Sequence, residues 1–401
     1  MRLSWTYVRN YLPIFLRNSS FYLNGMVLPA LTSFFSFLLA ATQGAETRGE
    51  FAFIFSFINL TISLFYSALK GRIMISRDNR NIGSYIPLHE LFSKRSFAVA
   101  VVTILVFFIH NINISFISAL MLAVSIILNG ELILIAQRLL FIGKPRLAIS
   151  VNCGAWFFMI LIEIFALMAH LKIDLSFLIK SFFLCISLIY IMTFLLASHL
   201  IRNLESKKIS HKNVKKEGLF TISSIVTILQ TNGLILLLSK DYGFGILGVI
   251  SLATAILNYS LTILNSVIVG RFWLKLAFSR KLIFGSLFFM IFFVFITNFV
   301  TQLFLNDDFD FATLLILTLI PYYFSCFLLE FEITLSLYET KFDMLVKFKF
   351  LNTLIIIPEY WICSLLGFNL IVEISIISCL YFLLTISFIV YLQRKHYNVQ
   401  N

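Results

Sequence analysis

Charge is scarce in this chain of 401 residues: only 12% are Asp, Glu, Lys or Arg, and the acidic sign is the rarer, 19 against 31. With 60% hydrophobic residues and a mean hydropathy of +0.96, a water-soluble domain of this size is excluded. Cysteine is sparse as well. Cys153, Cys185, Cys326, Cys363 and Cys379 all fall in apolar stretches without metal-ligand spacing, which reads them as core thiols. The six histidines are scattered in or beside loops, and there is no Gly-rich phosphate loop and no clustered His/Asp/Glu set. No catalytic residue, metal or cofactor is therefore nominated. Long polar loops are missing on one face, where the longest is "ATQGAETRGE", so any chemistry takes place inside a membrane or at its surfaces.

What is present is long apolar runs. A spanning helix needs about 20 mostly apolar residues, and twelve segments qualify, at 21–41, 51–69, 96–110, 115–136, 148–169, 175–198, 219–239, 245–269, 282–304, 312–335, 349–366 and 369–392. The basic residues crowd alternate connections, from Arg2, Arg9 and Arg17 through Lys144 and Arg146 to Arg394 and Lys395, whereas the opposite set holds only Arg48, Lys172 and Lys240. Because cytoplasmic loops carry the excess of Lys and Arg, both termini are expected in the cytoplasm. The net charge of +12 follows from this topology and from contact with anionic lipid, not from nucleic-acid binding. The first run is too long for a signal peptide and is expected to be retained. Residues 1–19, with Trp5, Tyr7, Tyr11 and Phe15 among arginines, read as an interfacial amphipathic helix.

The second and eighth segments are versions of one another. "GEFAFIFSFINLTISLFYSALKGR" aligns without a gap on "GVISLATAILNYSLTILNSVIVGR", so that Gly49 meets Gly248, Asn59 meets Asn258, Ser67 meets Ser266 and Arg72 meets Arg271, each pair 199 positions apart. Gly44 and Gly243, Thr32 and Thr231, and Glu131 and Glu330 keep the same offset, which slips to 197 at Lys144 and Lys341. A period of nearly half the chain implies tandem halves. The polar linker "IRNLESKKISHKNVKKEG" divides them into residues 1–200, 201–218 and 219–401. Six spans per half give both halves the same orientation, a parallel repeat about the membrane normal.

Polar residues inside the spans are the candidate site. Asn59 and Asn258 satisfy a glycosylation pattern but lie at mid-span, out of reach of a glycosylating enzyme. Asn59, Ser63 and Ser67 share one helix face. Such a stripe either bonds helices together at about 0.6–2 kcal/mol per contact or lines a cavity for sugar hydroxyls. The cavity set is Asn24, Asn59, Ser63, Gln230, Asn232, Asn258 and Thr262. Arg72 and Arg271 are interfacial anchors, or a pair receiving a pyrophosphate, or latches closing on Glu131 and Glu330. Glu163 and Lys180 flank one hairpin at equal depth and read as a neutral pair. The matching hairpin carries Glu359 and Glu373 at matched depths without a cation: either each reaches interfacial water separately, or the two carboxylates lie close and raise one another's proton affinity, a route to proton coupling.

The layout, with "GAETRGEFAFIFSF", "ELILIAQRLLFIGKPRLAIS" and "GFGILGVISLA" at the second, fourth-to-fifth and eighth spans, resembles the polysaccharide-export flippases, the O-antigen and lipid-linked oligosaccharide translocases of the multidrug/oligosaccharidyl-lipid/polysaccharide exporter superfamily. The resemblance covers essentially the whole chain. It implies an all-α polytopic membrane protein of twelve transmembrane helices, in two parallel six-helix lobes around a central cavity. It further implies a bacterial inner-membrane flippase, not an enzyme, moving an undecaprenyl-pyrophosphate-linked repeat unit to the periplasmic leaflet by alternating access. Partners would be the lipid-linked oligosaccharide, membrane lipids, and a polymerase and chain-length regulator of the same pathway. Multidrug extruders of that superfamily tend to hold an acid in span one or seven; here those spans offer Asn24, Gln230 and Asn232. An O-antigen polymerase is the alternative from another class. It would carry a large basic periplasmic loop, and an internal repeat has no role in it.

Overall fold

The computed structural model describes residues 5–76, 94–109, 115–141, 144–171, 173–202, 214–268, 311–335 and 342–400, with scattered positions between 285 and 309. The helices are α1 (Trp5–Ser76), α2 (Lys94–Ile109), α3 (Phe116–Phe141), α4 (Pro145–Met168), α5 (Leu175–Arg202), α6 (Val214–Ile228), α7 (Leu234–Ile268), α8 (Ala312–Leu335), α9 (Phe342–Leu365) and α10 (Leu370–Gln400), with a π-helical turn at Leu229–Gly233 leading α6 into α7. Every expected span except the ninth falls on one of these helices; of residues 282–304 about half are described, and those are helical. Seven stretches among the described residues are long and apolar enough to cross a membrane. Phe165, Leu195 and Leu365 stand exposed on helix surfaces, which a lipid environment accounts for and water does not.

The expected interfacial helix at 1–19 is not a separate element: α1 runs unbroken from Trp5 to a single break at Gly44. Gly44 has φ 84° and ψ −174°, and α7 breaks in the same way at Gly243, with φ 74° and ψ 170°. That region of backbone space is open to glycine and closed to residues bearing a Cβ. The two breaks stand at the repeat offset of 199, so the same residue makes the same turn before the second and the eighth spans.

The described helices gather in two compact units, one of residues 30–248 and one of residues 1–29 with 249–401. In the first, α3 packs on α2, α4 and α5, and α4 packs on α5. In the second, α8, α9 and α10 contact one another in the corresponding way. The hairpins within these trios match in detail. The end of α4 is closed by the Leu171 amide bonding the Ala166 carbonyl across His170 at φ 53°, and the end of α9 by the Phe368 amide bonding Cys363 across Gly367 at φ 68°. Asp174 and Asn369 then cap α5 and α10 by accepting the Phe177 and Val372 amides at 2.7 and 3.0 Å.

Inside the helices, hydroxyls mostly bond their own backbone. Thr61 donates to Phe57, Thr103 to Val99, Ser125 to Met121 and Thr353 to Lys349, each at 2.8 Å, and Ser67 donates to Ser63. The hydroxyl is thereby satisfied within one turn of its own helix. Where Pro321 interrupts α8, the following amide of Tyr322 turns instead to the Ser378 hydroxyl of α10 at 3.0 Å.

Candidate functional site

In the unit of residues 30–248, the stretch of α1 after the break crosses the start of α7 backbone against backbone. A Cβ built on Gly49 would land on the Phe244 carbonyl, 2.7 Å from its carbon, and one on Gly248 would land on the Ala45 carbonyl, 2.8 Å from its carbon. Ala45 and Phe244 are themselves repeat partners, so each contact is the image of the other about a local two-fold axis. Only glycine permits this approach. Seven residues beyond Gly49, the Ser56 hydroxyl donates to Asn232 Oδ1 at 3.3 Å, tying the same helix to the π-helical turn.

On the other side of this helix lies an aromatic cluster. Trp156 of α4 is ringed by Phe55 at 5.2 Å, Phe182 of α5 at 5.7 Å, and Phe35 and Phe51 at 6.1 Å each. Arg48 precedes Phe51 by one turn of α1, and Glu163 follows Trp156 by two turns of α4, so the antiparallel faces that share the cluster bring the two charges to the same level. Both are buried, Arg48 at 1% and Glu163 at 2% exposure, and each is the electrostatic partner of the other. Arg48 Nε and Nη1 and both carboxylate oxygens of Glu163 make no hydrogen bond to the protein.

This replaces two readings from the sequence. Arg48, assigned to an outward loop, is inside a helix and sealed in the interior; Lys180, assigned as the partner of Glu163, is exposed on α5. The signal available was that Arg48 stands just before the second span and Glu163 near the end of the fifth. Which of two cations the acid meets depends on which helices adjoin, and apolar periodicity does not encode that.

The remaining sequence candidates are distributed as follows. Gln230 is buried in the π-helical turn, and Asn232 is held by Ser56. Asn59 and Ser63 are half-buried on α1. Asn258 belongs to the other unit, half-buried on α7 and near the Tyr323 hydroxyl of α8. Glu131 is half-buried on α3, and Glu373 is buried in the first turn of α10. Asn24, Arg72, Thr262, Glu330 and Glu359 lie on helices, their side chains outside the described set, and Arg271 lies outside it altogether. Among the described residues no group of His, Cys, Asp and Glu is arranged to hold a metal.

These features define a polytopic helical membrane protein with an internally repeated helix pattern. Two solved structures share its fold. One, described as the outward-facing conformation of a multidrug resistance MATE family transporter of the MOP superfamily, is 12% identical with a TM-score of 0.53, covering 94% of this chain and 97% of its own. The other, a MATE in complex with MaL6, is 11% identical with a TM-score of 0.52 and the same coverage. No family model matches the sequence, and no curated protein matches it. The likeness is one of fold, and it spans nearly the whole chain.

Proposed function

We propose that this chain is a translocase for an undecaprenyl-pyrophosphate-linked oligosaccharide, carrying the repeat unit from the cytoplasmic to the periplasmic leaflet of a bacterial inner membrane. The observation that carries the reading is the transporter fold, shared over 94% of the chain. The choice of cargo rests on the residues of the first and seventh spans, where Asn24, Gln230 and Asn232 supply amides and no acid stands. An uncharged polar lining hydrogen-bonds sugar hydroxyls without the cost of desolvating a charge, and it offers nothing to draw in a cationic drug. In this reading twelve spans form two six-helix lobes around a cavity, which also takes in Asn59, Ser63, Asn258 and Thr262. Both termini are cytoplasmic. Arg72 and Arg271 receive the pyrophosphate at the inner mouth or close it against Glu131 and Glu330, and Glu359 with Glu373 supplies proton coupling.

The test is deletion of the gene followed by localisation of lipid-linked repeat units. Accumulation of single units on the cytoplasmic leaflet with loss of surface polymer is expected. Single units that reach the surface unpolymerised would replace the reading with that of a polymerase. One structural neighbour is a multidrug resistance transporter, which favours one other outcome, export of small drugs. It would show as unchanged surface glycan and heightened sensitivity to toxic compounds in the deletion strain.

A further inference from the structure

We propose that Arg48 and Glu163 form a proton-binding site in the interior of the unit of residues 30–248, with the proton taken up on Glu163. Two oppositely charged groups are buried at 1% and 2% exposure on the α1 and α4 stretches joined by the rings of Trp156, Phe51 and Phe55, and four of their polar atoms have no hydrogen-bond partner in the protein. Nearly all interior polar atoms find one. A structural ion pair is kept in the interior by a close fit and by extra hydrogen bonds that saturate it. This pair has the burial without the saturation, so its charged form is held less firmly than its depth would suggest. The carboxylate oxygens retain the capacity to take a proton.

Other charges around the site do not substitute for either member. On the same stretch of α1, Glu46 is exposed and Glu50 half-buried; on α5, Lys180 is exposed. On α3, Glu131 is half-buried and Arg138 buried. The thiols of Cys153 on α4 and Cys185 on α5 are buried, and α7 contributes Tyr242 near the crossing. Among the described groups, only Arg48 acts on the charge of Glu163, and only Glu163 on that of Arg48.

The step is a simple transfer. Hydronium gives its proton to a Glu163 oxygen and leaves as water, one O–H bond breaking as another forms, and the charge of the pair rises by one. Arg48 then has no counter-charge in a dry interior, a condition costly enough to move it. It stands four residues after the break at Gly44 and one before the crossing at Gly49. Proton uptake is thereby linked to the entry of the second span. As a proton site this stands on the geometry alone; its use in driving translocation rests on the function proposed above.

Infrared difference spectra of the purified full chain, recorded between acid and alkaline buffer, test it independently of transport. A protonated-carboxyl band is expected that is lost in Glu163→Gln, and in Arg48→Met it should persist into alkaline buffer. The double variant Arg48→Gln/Glu163→Gln, which leaves no lone buried charge, guards against loss of the single variant through misfolding and should also lack the band. A wild-type spectrum without a titrating carboxyl, or a band unchanged in Glu163→Gln and in the double variant, would overturn the proposal. So would a band that vanishes on adding sodium at constant pH, since the carboxylate would then be a metal-cation site.

Discussion

Replacing Gly49 by alanine puts a methyl group where a backbone already is. A Cβ there would lie 2.7 Å from the Phe244 carbonyl carbon and 3.0 Å from the Gly248 nitrogen, against 3.4 Å or more for ordinary contact. Neither neighbour is a side chain that can swing aside. The helices must separate, which costs about 1–3 kcal/mol by overpacking, with about 0.5–1 kcal/mol more for each Cα–H···O contact loosened. The gain from replacing glycine in a helix, about 1 kcal/mol, offsets part of this. A net loss of about 1–3 kcal/mol is expected, and thermal unfolding in detergent should register it at roughly 2 °C for each kcal/mol. Gly245→Ala is the internal control, because a Cβ at Gly245 meets nothing within 4 Å. The double variant Gly49→Ala/Gly248→Ala is more diagnostic. One separation accommodates both methyls, so the double should cost clearly less than the sum of the singles. Additive losses, or a Gly49→Ala protein as stable as Gly245→Ala, would refute the crossing.

Three further outcomes follow from the same coordinates. Asp174→Ala and Asn369→Ala each remove an N-cap, and each should cost about 1 kcal/mol of unfolding free energy by denaturant titration, the two being equivalent if the hairpins are repeats. Ser378→Ala leaves the Tyr322 amide unbonded in the interior and should cost about 1–3 kcal/mol, whereas Ser150→Ala, which removes a hydroxyl at an exposed site, should be close to neutral in the same assay. Glu163→Leu alone strands a buried guanidinium and should lower stability by about 3–5 kcal/mol, and adding Arg48→Met should recover most of that loss in thermal melts.

The helices were readable because a membrane imposes a length and an apolar composition together. The repeat was readable because its glycines are required by geometry. Gly44 and Gly243 turn the chain where no other residue can, and Gly49 and Gly248 let two backbones touch. Even the slipped register of the later spans has a counterpart in the matched ends of α4 and α9 at His170 and Gly367. Hydroxyls were less informative. Ser67 looks from the sequence like a member of a polar stripe, yet its hydroxyl, like that of Thr61, closes on the carbonyl four residues back, and nothing in a sequence separates that use from a cavity lining. Glu163 was half legible: its depth was right and its partner wrong, because helix adjacency decides between Lys180 and Arg48.

The central claim is that this fold moves a lipid-linked oligosaccharide across a bilayer. The direct measurement is to reconstitute the purified chain in liposomes holding an undecaprenyl-pyrophosphate-linked repeat unit in the inner leaflet only, and to follow its exposure to an external glycosidase. Exposure well above that of protein-free liposomes, and lost when Arg72 and Arg271 are both neutralised, is the predicted result. Exposure no faster than in protein-free liposomes, from chain that is folded by its thermal melt, would contradict the account.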